Sequence, residues 1–287
     1  MKIEKDVSLA QFSTLRVGGP ADFFVRVKSK EDLSEALKFA HDNKHEVFIF
    51  GGGSNILFSD EGFRGIVIKN EISGIDFAES IVKVGAGERL ANLVTAAAKN
   101  SLSGLEDLAG VPGTVGGAVV GNSNEIGERV KQVTIFKNGE TKTLEKEQLE
   151  FSYRDSNLRD KVLIEVEFEL QKSSENLVAK IATLAREKVA KQPFDGTAGS
   201  WFKNPSSSRT ARLLRTSPKS KSAWELIDEA GCRGLKVGGA VVSEKHANFF
   251  QNVGDATAAD FLELEKMVVE RVREKFGVEL EREVVVV

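Results

Sequence analysis

Apolar residues recur along this chain with two periods, about 3.6 and 2 residues, which predicts a mixture of helices and strands. Ser29 and Thr257 each stand three residues before an aspartate, a spacing typical of a capped helix start. The predicted helices are 29–43, 88–100, 175–190, 223–230 and a last helix that begins after Thr257.

Short apolar or alternating segments between glycine and polar residues predict the strands. They are 46–50, 66–69, 81–87, 161–170, 238–242, 248–250 and the closing segment 277–287. A hairpin is predicted over 130–144, with Asn138-Gly139 as its two-residue turn. The strand 46–50 is expected to be buried, and the closing strand ends in an apolar run. Because strands and helices do not alternate regularly, the predicted fold class is α+β, with a domain boundary near residue 172.

Composition narrows the class of protein. Hydrophobic residues make up 41% of the chain and charged residues 29%, as in soluble globular proteins, and the net charge of -3 argues against a nucleic-acid binder. The single cysteine, Cys232, excludes an internal disulfide and a cysteine-rich metal site. The charged N-terminus is not a signal peptide, and no apolar run approaches the about 20 residues of a membrane span. We therefore expect a cytoplasmic monomer with no metal, membrane or nucleic-acid contact.

Two glycine-rich loops are candidates for binding phosphate. GGGSN (51–55) follows a predicted strand, and 110–122 contains five glycines in 13 residues. Glycine permits positive φ and close approach of a ligand, and free backbone N–H groups form concavities that bind anions. Either loop alone could equally consist of tight turns, and neither matches the dinucleotide fingerprint or the P-loop. Together, in one domain, they favour one large phosphate-bearing cofactor held from two sides.

The segment AGSWFKNP (198–205) places Ser200 after a glycine and before two aromatic residues, Lys203 and Asn204. A serine nucleophile needs an adjacent base, and the chain contains only three histidines. From the residues alone, Ser200 is either an ordinary turn residue or a functional hydroxyl that does not act as a nucleophile.

Eight segments, in order along nearly the whole chain, resemble the UDP-N-acetylenolpyruvoylglucosamine reductase family of flavoenzymes, which acts in peptidoglycan precursor synthesis. They are STLRVGGPADFF (13–24), FGGGSNILFSDEGFRGIVI (50–68), GLEDLAGVPGTVGGAVVGN (104–122), FSYRDS (151–156), KQPF (191–194), AGSWFKNP (198–205), GLKVGGAVVSEKHANFFQN (234–252) and LEREV (280–284). Any one of these matches is weak, but their shared order is specific.

The resemblance implies an FAD-binding region of the vanillyl-alcohol-oxidase (PCMH) type and an α+β substrate-binding domain. The FAD-binding region would cover 1–172, in subdomains of about 1–70 and 71–172. The substrate-binding domain would cover 173–287, with the C-terminal strand returning Glu283 to the active site.

The resemblance also implies the reaction. NADPH reduces non-covalent FAD and leaves, and the enolpyruvyl ether of UDP-N-acetylglucosamine is then reduced to UDP-N-acetylmuramate. Hydride passes from the flavin N5 to the vinyl ether, and Ser200 donates the proton. Arg154 would face the substrate's carboxylate and enolate oxygen, and Glu283 would hold the intermediate or relay protons.

The residues themselves leave alternatives for two of these roles. Arg154 could be a surface arginine paired with Asp155 or Glu150. Glu283 could be an exposed strand-end glutamate, although an acid at the edge of a buried apolar run is generally paired or functional.

The remaining site residues follow from the same resemblance. The implied flavin contacts are Arg16, Gly51, Gly52, Gly53, Ser54, Asn55, Gly110, Pro112, Gly113, Thr114, Gly116, Gly117, Gly121 and Asn122. The implied substrate contacts are Lys191, Lys203, Asn204, His246 and Asn248.

Three features depart from the family pattern. GNSNEIGE (121–128) stands where members commonly read N-A-G-A-Y-G, which affects the expected flavin or substrate contacts. The basic segment 206–223 is either a mobile flap drawn to a diphosphate or a solvated loop. The tyrosine-bearing insertion of longer members is absent, so the chain resembles the shorter class.

Two other functions compete with the reductase. Flavin oxidases of the same superfamily commonly tether FAD through a histidine near the glycine loop, and the neighbourhood of GGGSN contains none. A non-catalytic flavin or nucleotide-sugar binding protein would not need Ser200, Arg154 and Glu283 together.

Overall fold

The computed structural model describes residues 1–137, 139–206 and 220–287. The chain forms two compact units. Unit 1 comprises Met1–Val7, Ala21–Gly52 and Arg64–Lys188, and unit 2 comprises Ser8–Pro20, Gly53–Phe63 and Val189–Val287. The boundary predicted near residue 172 therefore falls inside unit 1, and two short N-terminal segments belong to unit 2.

Helices and strands are mixed along the chain, in agreement with the predicted α+β class. The helices of the described residues are α1 Lys30–Asp42, α2 Leu90–Lys99, α3 Val115–Val120, α4 Leu177–Lys191, α5 Ala223–Glu229 and α6 Ala258–Phe276. The strands are β1 Glu4–Ser8, β2 Pro20–Val27, β3 Val47–Phe50, β4 Ile56–Leu57, β5 Phe63–Asn70, β6 Ile75–Ala78, β7 Ile81–Gly85, β8 Leu102–Ser103, β9 Val130–Lys137, β10 Glu140–Glu145, β11 Phe151–Ser152, β12 Asp155–Ser156, β13 Val162–Glu169, β14 Gln171–Lys172, β15 Thr197–Ser200, β16 Lys236–Val237, β17 Ala240–Val242, β18 Phe249–Asn252 and β19 Val285–Val286.

Some predicted elements match the structure closely, and others lie partly outside the described residues. Ser29 caps α1, because its hydroxyl accepts the Asp32 N–H at 3.1 Å. The predicted hairpin forms from β9 and β10, although Asn138 of its turn lies outside the described residues. Most of the basic segment 206–223 also lies outside them. No helix in the described parts of the chain combines the length and hydropathy needed to cross a bilayer.

Unit 1 contains one sheet of four strands and one of five, besides two-stranded pairings. One has the strand order β1-β2-β5-β3, and the other has the order β10-β9-β13-β7-β6. The strand predicted as buried, β3, is an edge strand that pairs in parallel with β5 only. Val47 is consequently exposed, and Phe50 is the one residue of β3 that is buried. An apolar run does not reveal whether a strand has one neighbour or two.

The larger apolar core of unit 1 explains why the unit extends beyond residue 172. Strand β14 pairs with β8, which ties residues 171 and 172 to this unit. The following helix, α4, then packs Ile181, Leu184 and Ala185 against the same core. These side chains recur at helical spacing, so the first part of α4 is an integral element of unit 1.

Unit 2 is a sheet of order β15-β18-β17-β16 with a core that includes residues of α5 and α6. Trp201 is fully buried and stacks on Phe250 at 4.6 Å and on Phe261 at 5.3 Å between ring centroids. Leu15 and Leu57 are part of this core, which explains why the two N-terminal segments belong to unit 2.

The apolar end of the chain is less buried than expected. Val285 and Val286 form β19, which pairs in parallel with β4, yet both side chains are more than a third exposed. Val284, which precedes them, is buried. The prediction of a buried closing run is wrong, because a two-stranded pairing covers little side-chain surface. The argument that Glu283 lies at the edge of a buried run is therefore weaker.

An aspartate far away in sequence anchors α6. The Asp60 carboxylate accepts the backbone N–H groups of Ala258 at 2.8 Å and Ala259 at 3.1 Å. These donors lie in the first turn of the helix, where N–H groups have no partner within the helix and a negative charge is favourable.

Asp60→Ala should therefore lower the free energy of unfolding by about 1–2 kcal/mol. Urea denaturation measures this loss. Glu263→Ala, which removes a carboxylate from the exposed face of α6, is the control and should leave the midpoint nearly unchanged. Equal midpoints for the two variants would contradict the anchoring role of Asp60.

Candidate functional site

The two predicted glycine loops lie against each other in unit 1. A Cβ atom added to Gly51 would lie 2.1 Å from the Thr114 hydroxyl oxygen, and one added to Gly52 would lie 2.7 Å from the Gly113 Cα. Neither distance is compatible with a side chain, so glycine is required where the loops meet. The first loop follows β3, and the second leads directly into α3.

The same loops offer unused backbone donors. Among the described residues, the N–H groups of Gly51, Gly52, Gly113 and Thr114 donate no hydrogen bond. The Thr114 hydroxyl accepts the Gly117 N–H at 3.4 Å and caps α3. Glycines that a Cβ would crowd and N–H groups without partners fit a dinucleotide whose diphosphate needs donors.

The second half of GGGSN belongs to unit 2. Gly53 has φ +64°, and an added Cβ would lie 1.9 Å from the Phe12 carbonyl oxygen. Asn55 is tied to the C-terminal segment: its side chain donates to the Glu283 carbonyl at 3.2 Å, and its own carbonyl accepts the Val285 N–H at 3.0 Å. The end of the glycine loop is therefore linked by hydrogen bonds to the segment that carries Glu283.

Unit 2 also brings Ser200 and Glu283 onto neighbouring segments. Ser200 ends β15 opposite Phe249 of β18, after an irregularity in the strand and after Gly199 at φ +82°. The C-terminal segment runs along the residues that follow: the Glu283 N–H donates to the Trp201 carbonyl at 2.8 Å, and the Lys203 N–H to the Glu281 carbonyl at 2.8 Å. Ser200 and Glu283 are both partly exposed.

Asn248 holds the strand of Ser200 in place. Its side-chain oxygen accepts the Phe202 N–H at 3.0 Å, and its side-chain nitrogen donates to the Phe202 carbonyl at 2.8 Å. Its own carbonyl accepts the Trp201 N–H at 2.7 Å. Asn248 is buried and its side chain holds the main chain of the AGSWFKNP segment, while its predicted contact with the substrate stays a prediction.

The other predicted substrate contacts differ in their surroundings. Lys191 is exposed at the end of α4. Lys203 forms an ion pair with Glu281 at 2.5 Å, and the Asn204 side-chain oxygen accepts the Ala223 N–H at 2.9 Å.

His246 is partly buried, and its Nδ1 lies 3.3 Å from the Asn248 backbone nitrogen that donates to it. Burial lowers the pKa of His246 and the positive charge of Arg233 adds to the shift, which favours the neutral imidazole at pH 7.

Arg154 lies in unit 1, at the turn between β11 and β12, with φ +57°. Two hydrogen bonds attach this hairpin to the end of α3: the Asn122 side chain donates to the Ser152 carbonyl at 2.8 Å, and the Ser156 hydroxyl donates to the Val120 carbonyl at 2.7 Å. A positive φ in a residue other than glycine is sparsely populated, so this anchoring helps to maintain the backbone of Arg154. Sequence reasoning missed both anchors.

The departure GNSNEIGE has a defined structure of its own. Asn124 and Glu125 are left-handed, with φ +48° and +58°. Asparagine tolerates this conformation better than most residues, and the Asn124 side chain donates to the Asp107 carbonyl at 2.8 Å. The Arg129 guanidinium donates to the Asn124 and Glu125 carbonyls at 3.2 and 2.9 Å. The segment is thereby tied to the residues that precede the second glycine loop.

Family models match both parts of the chain. Residues 188–287 match the UDP-N-acetylenolpyruvoylglucosamine reductase C-terminal domain, and residues 21–135 match an FAD binding domain. The C-terminal match begins at the last residue of unit 1. The FAD binding domain covers both glycine loops, which confirms the prediction of FAD as the cofactor.

Known proteins resemble the chain over nearly its full length. UDP-N-acetylenolpyruvoylglucosamine reductase of Carboxydothermus hydrogenoformans is 40% identical over 96% of this chain and 91% of its own length. The reductase of Chlamydia trachomatis is 36% identical over 98% of this chain and 95% of its own. The crystal structure of the Thermus caldophilus reductase superposes with a TM-score of 0.81 at 35% identity, covering 100% of this chain and 99% of the other.

These similarities confirm the predicted family, fold class and enzyme class. With such identity across both of its units, the chain belongs to the UDP-N-acetylenolpyruvoylglucosamine reductase family and is a flavoprotein oxidoreductase of peptidoglycan synthesis.

Proposed function

We propose that this chain reduces the enolpyruvyl ether of UDP-N-acetylglucosamine to UDP-N-acetylmuramate, with NADPH as the source of hydride. The observation that carries the proposal is the main-chain pairing that sets Glu283 beside the strand of Ser200, at the end of the first glycine loop. A proton donor and an acid next to a flavin-binding loop suit a reduction that must also deliver a proton.

Unit 1 supplies most of the FAD contacts in this proposal. The N–H groups of Gly51, Gly52, Gly113 and Thr114 would bind the diphosphate, since they have no partner among the described residues. FAD, when bound, takes hydride from NADPH and passes it to the substrate. The absence of histidine from both glycine loops supports non-covalent attachment.

Ser200 donates the proton that completes the reduction. Addition of hydride to the terminal carbon of the vinyl ether leaves negative charge on the carbon that bears the carboxylate. That carbon must then be protonated. Ser200 is accessible. The backbone around it is held by β18 and by the C-terminal segment, so no base is needed to position it. Glu283 holds the intermediate or relays the proton to Ser200.

Arg154 binds the carboxylate and the developing enolate oxygen. Its guanidinium is planar and permanently charged, which suits two oxygens of one carboxylate. The anchored hairpin supports this role, because a fixed backbone reduces the freedom lost when the arginine binds. Asp155, the next residue, is bound by Arg159.

The substrate's diphosphate and sugar would be bound largely by unit 2. Lys191 is an exposed cation that would bind phosphate. Lys203 would bind phosphate in partial replacement of its ion pair with Glu281. Neutral His246 and Asn204 supply hydrogen bonds rather than charge. We further propose that the protein acts as a cytoplasmic monomer.

The absorption spectrum of the purified protein tests the function. The folded protein should be yellow, NADPH should bleach it under anaerobic conditions, and the enolpyruvyl substrate should restore the colour. A protein that takes up FAD but is not reoxidised by this substrate would overturn the proposed reaction.

Ser200→Ala should still bind FAD and be reduced by NADPH, but its reoxidation by substrate should slow on the order of 10²-fold or more, because the proton donor is lost. Ser200→Cys keeps a proton-bearing group and should be less impaired. Stopped-flow absorbance separates the two half-reactions. Slowing confined to the reduction by NADPH would contradict the role of Ser200.

Gly51→Ala should weaken FAD binding about ten- to hundred-fold, because the new Cβ overlaps the Thr114 hydroxyl and forces the loops apart at about 1–3 kcal/mol. Fluorescence titration of the apoprotein with FAD gives the Kd. Adding Thr114→Ala removes the overlapping oxygen and should recover part of the affinity. An unchanged Kd in Gly51→Ala would show that the loop contact is not needed for FAD.

A further inference from the structure

A glutamate interrupts the apolar face of α6. This face packs into the core of unit 2 through four buried residues, which are Phe261, Leu264, Val268 and Val272. Glu265 follows Phe261 by four residues and precedes Val268 by three, so it lies on the same side of the helix. Its side chain is only 12% exposed. Burying a carboxylate costs free energy unless it is paired and hydrogen-bonded, so a charge at this position requires an explanation.

One carboxylate oxygen of Glu265 accepts two hydrogen bonds. The Trp201 indole N–H donates to its Oε2 at 2.9 Å, and the Nε of Arg282 donates to the same atom at 2.7 Å. The two donors belong to segments that are far apart in the sequence, the AGSWFKNP segment and the C-terminal segment. Glu265 therefore links these two segments through a single atom.

The two donors are the neighbours of the proposed catalytic residues in unit 2. Trp201 follows Ser200, and Arg282 precedes Glu283. The main chains of the two segments meet in an isolated antiparallel bridge between Phe202 and Arg282, beside the bond from the Glu283 N–H to the Trp201 carbonyl at 2.8 Å. A short pairing holds two segments less firmly than a full sheet does. The side chain of Glu265 adds a second constraint on their relative position.

Helix α6 gives Glu265 a fixed place in unit 2. Asp60 binds the first turn of this helix, and its apolar face is packed in the core. Trp201 also stacks on Phe261 of the same helix, with 5.3 Å between ring centroids. A functional geometry is held most precisely by side chains on a rigid, packed element. The Glu265 carboxylate is such a reference point for both segments.

Glu265 could instead serve only to satisfy the indole N–H of Trp201, which is fully buried and needs a partner. A neutral amide oxygen would be sufficient for that purpose. The bond to Arg282 is a charge-assisted bond and uses the negative charge of Glu265. Arg282 is 36% exposed, so its guanidinium does not depend on Glu265 for a partner in the way the indole does. The charge therefore favours a role in joining the segments.

We propose that Glu265 is a positioning residue that sets the relative position of Ser200 and Glu283 by binding the residue next to each. This inference rests on the proposed function, in which Ser200 donates a proton and Glu283 holds the intermediate or relays the proton. A misplacement of about 1 Å in a reacting group costs on the order of 10²-fold in rate. Glu265 acts through its two neighbours and touches neither the substrate nor the flavin.

Glu265→Gln tests this role, because glutamine keeps the size and an acceptor oxygen for Trp201 but removes the charge that binds Arg282. Arg282→Met removes the other end of the same bond, and Arg282→Lys keeps a cation there. Glu263→Gln removes a charge from the exposed face of α6 and is the matched control. Stopped-flow absorbance gives the rates of reduction by NADPH and of reoxidation by substrate, and urea denaturation gives the midpoint of unfolding.

In the folded variants, Glu265→Gln and Arg282→Met should each slow reoxidation at least about tenfold, because Ser200 and Glu283 are no longer held in register. Reduction by NADPH and the Kd of FAD should stay close to the wild-type values. Arg282→Lys should recover part of the rate, and Glu263→Gln should match the wild type.

A double-mutant cycle separates positioning from an independent effect. If Glu265 acts through Ser200 or Glu283, the loss caused by Glu265→Gln should be much smaller when Ser200→Ala or Glu283→Gln is already present. Losses that multiply fully in both backgrounds would show that Glu265 acts independently of the two residues, and the proposal would be wrong.

A purely structural glutamate gives a different result. A lower urea midpoint with unchanged reoxidation in the folded Glu265→Gln protein would mean that Glu265 only satisfies Trp201, and would overturn the proposal. If Glu265→Gln does not fold, Arg282→Met provides the same test from a partly exposed position. A wild-type protein that the substrate does not reoxidise would refute the proposed reaction and this role together. An active wild type beside an equally fast Glu265→Gln would refute the role alone.

Discussion

Close backbone contact between two glycine loops is the constraint on which unit 1 depends. A side chain at Gly51 or Gly52 would overlap Thr114 or Gly113, so the loops can meet only where the first one carries no side chain. Their contact leaves N–H groups unused and fixes Thr114 as the cap of α3. The Arg154 hairpin is attached to the end of α3, and Lys188 holds backbone carbonyls that precede the second loop. The N–H groups that we propose for FAD, the Arg154 hairpin and Lys188 therefore belong to one framework.

Unit 2 depends on a different kind of contact, between segments that are far apart in sequence. The C-terminal segment hydrogen-bonds to the residues after Ser200, while Asn248 binds the main chain of Phe202 from the other side. Trp201, which follows Ser200, is packed between aromatic rings of the core. Ser200 is thus a partly exposed residue on a segment whose next two residues are held in place, which suits the role of proton donor that we propose for it.

The chemistry of the chain is distributed as donors and cations rather than as a nucleophile and a base. His246 is favoured in its neutral form by burial, and its Nδ1 is occupied by a backbone N–H. Lys203 is paired with an exposed glutamate, and Asn248 is fully used by the main chain. In unit 2 the Ser200 hydroxyl and the Glu283 carboxylate are partly exposed, which suits the reduction and protonation that we propose.

The sequence by itself determined most of the helices, the hairpin, the fold class, the glycine loops and the family, because these depend on local spacing and on ordered motifs. Only the tertiary structure decided that β3 is an edge strand, that α4 begins within unit 1, and that 8–20 and 53–63 pack in unit 2. It also decided that Asn248 positions a strand and that Glu265 binds the neighbours of Ser200 and Glu283. These features depend on contacts between segments that are far apart in the chain. The spacing of residues along one segment does not identify the segment that packs against it.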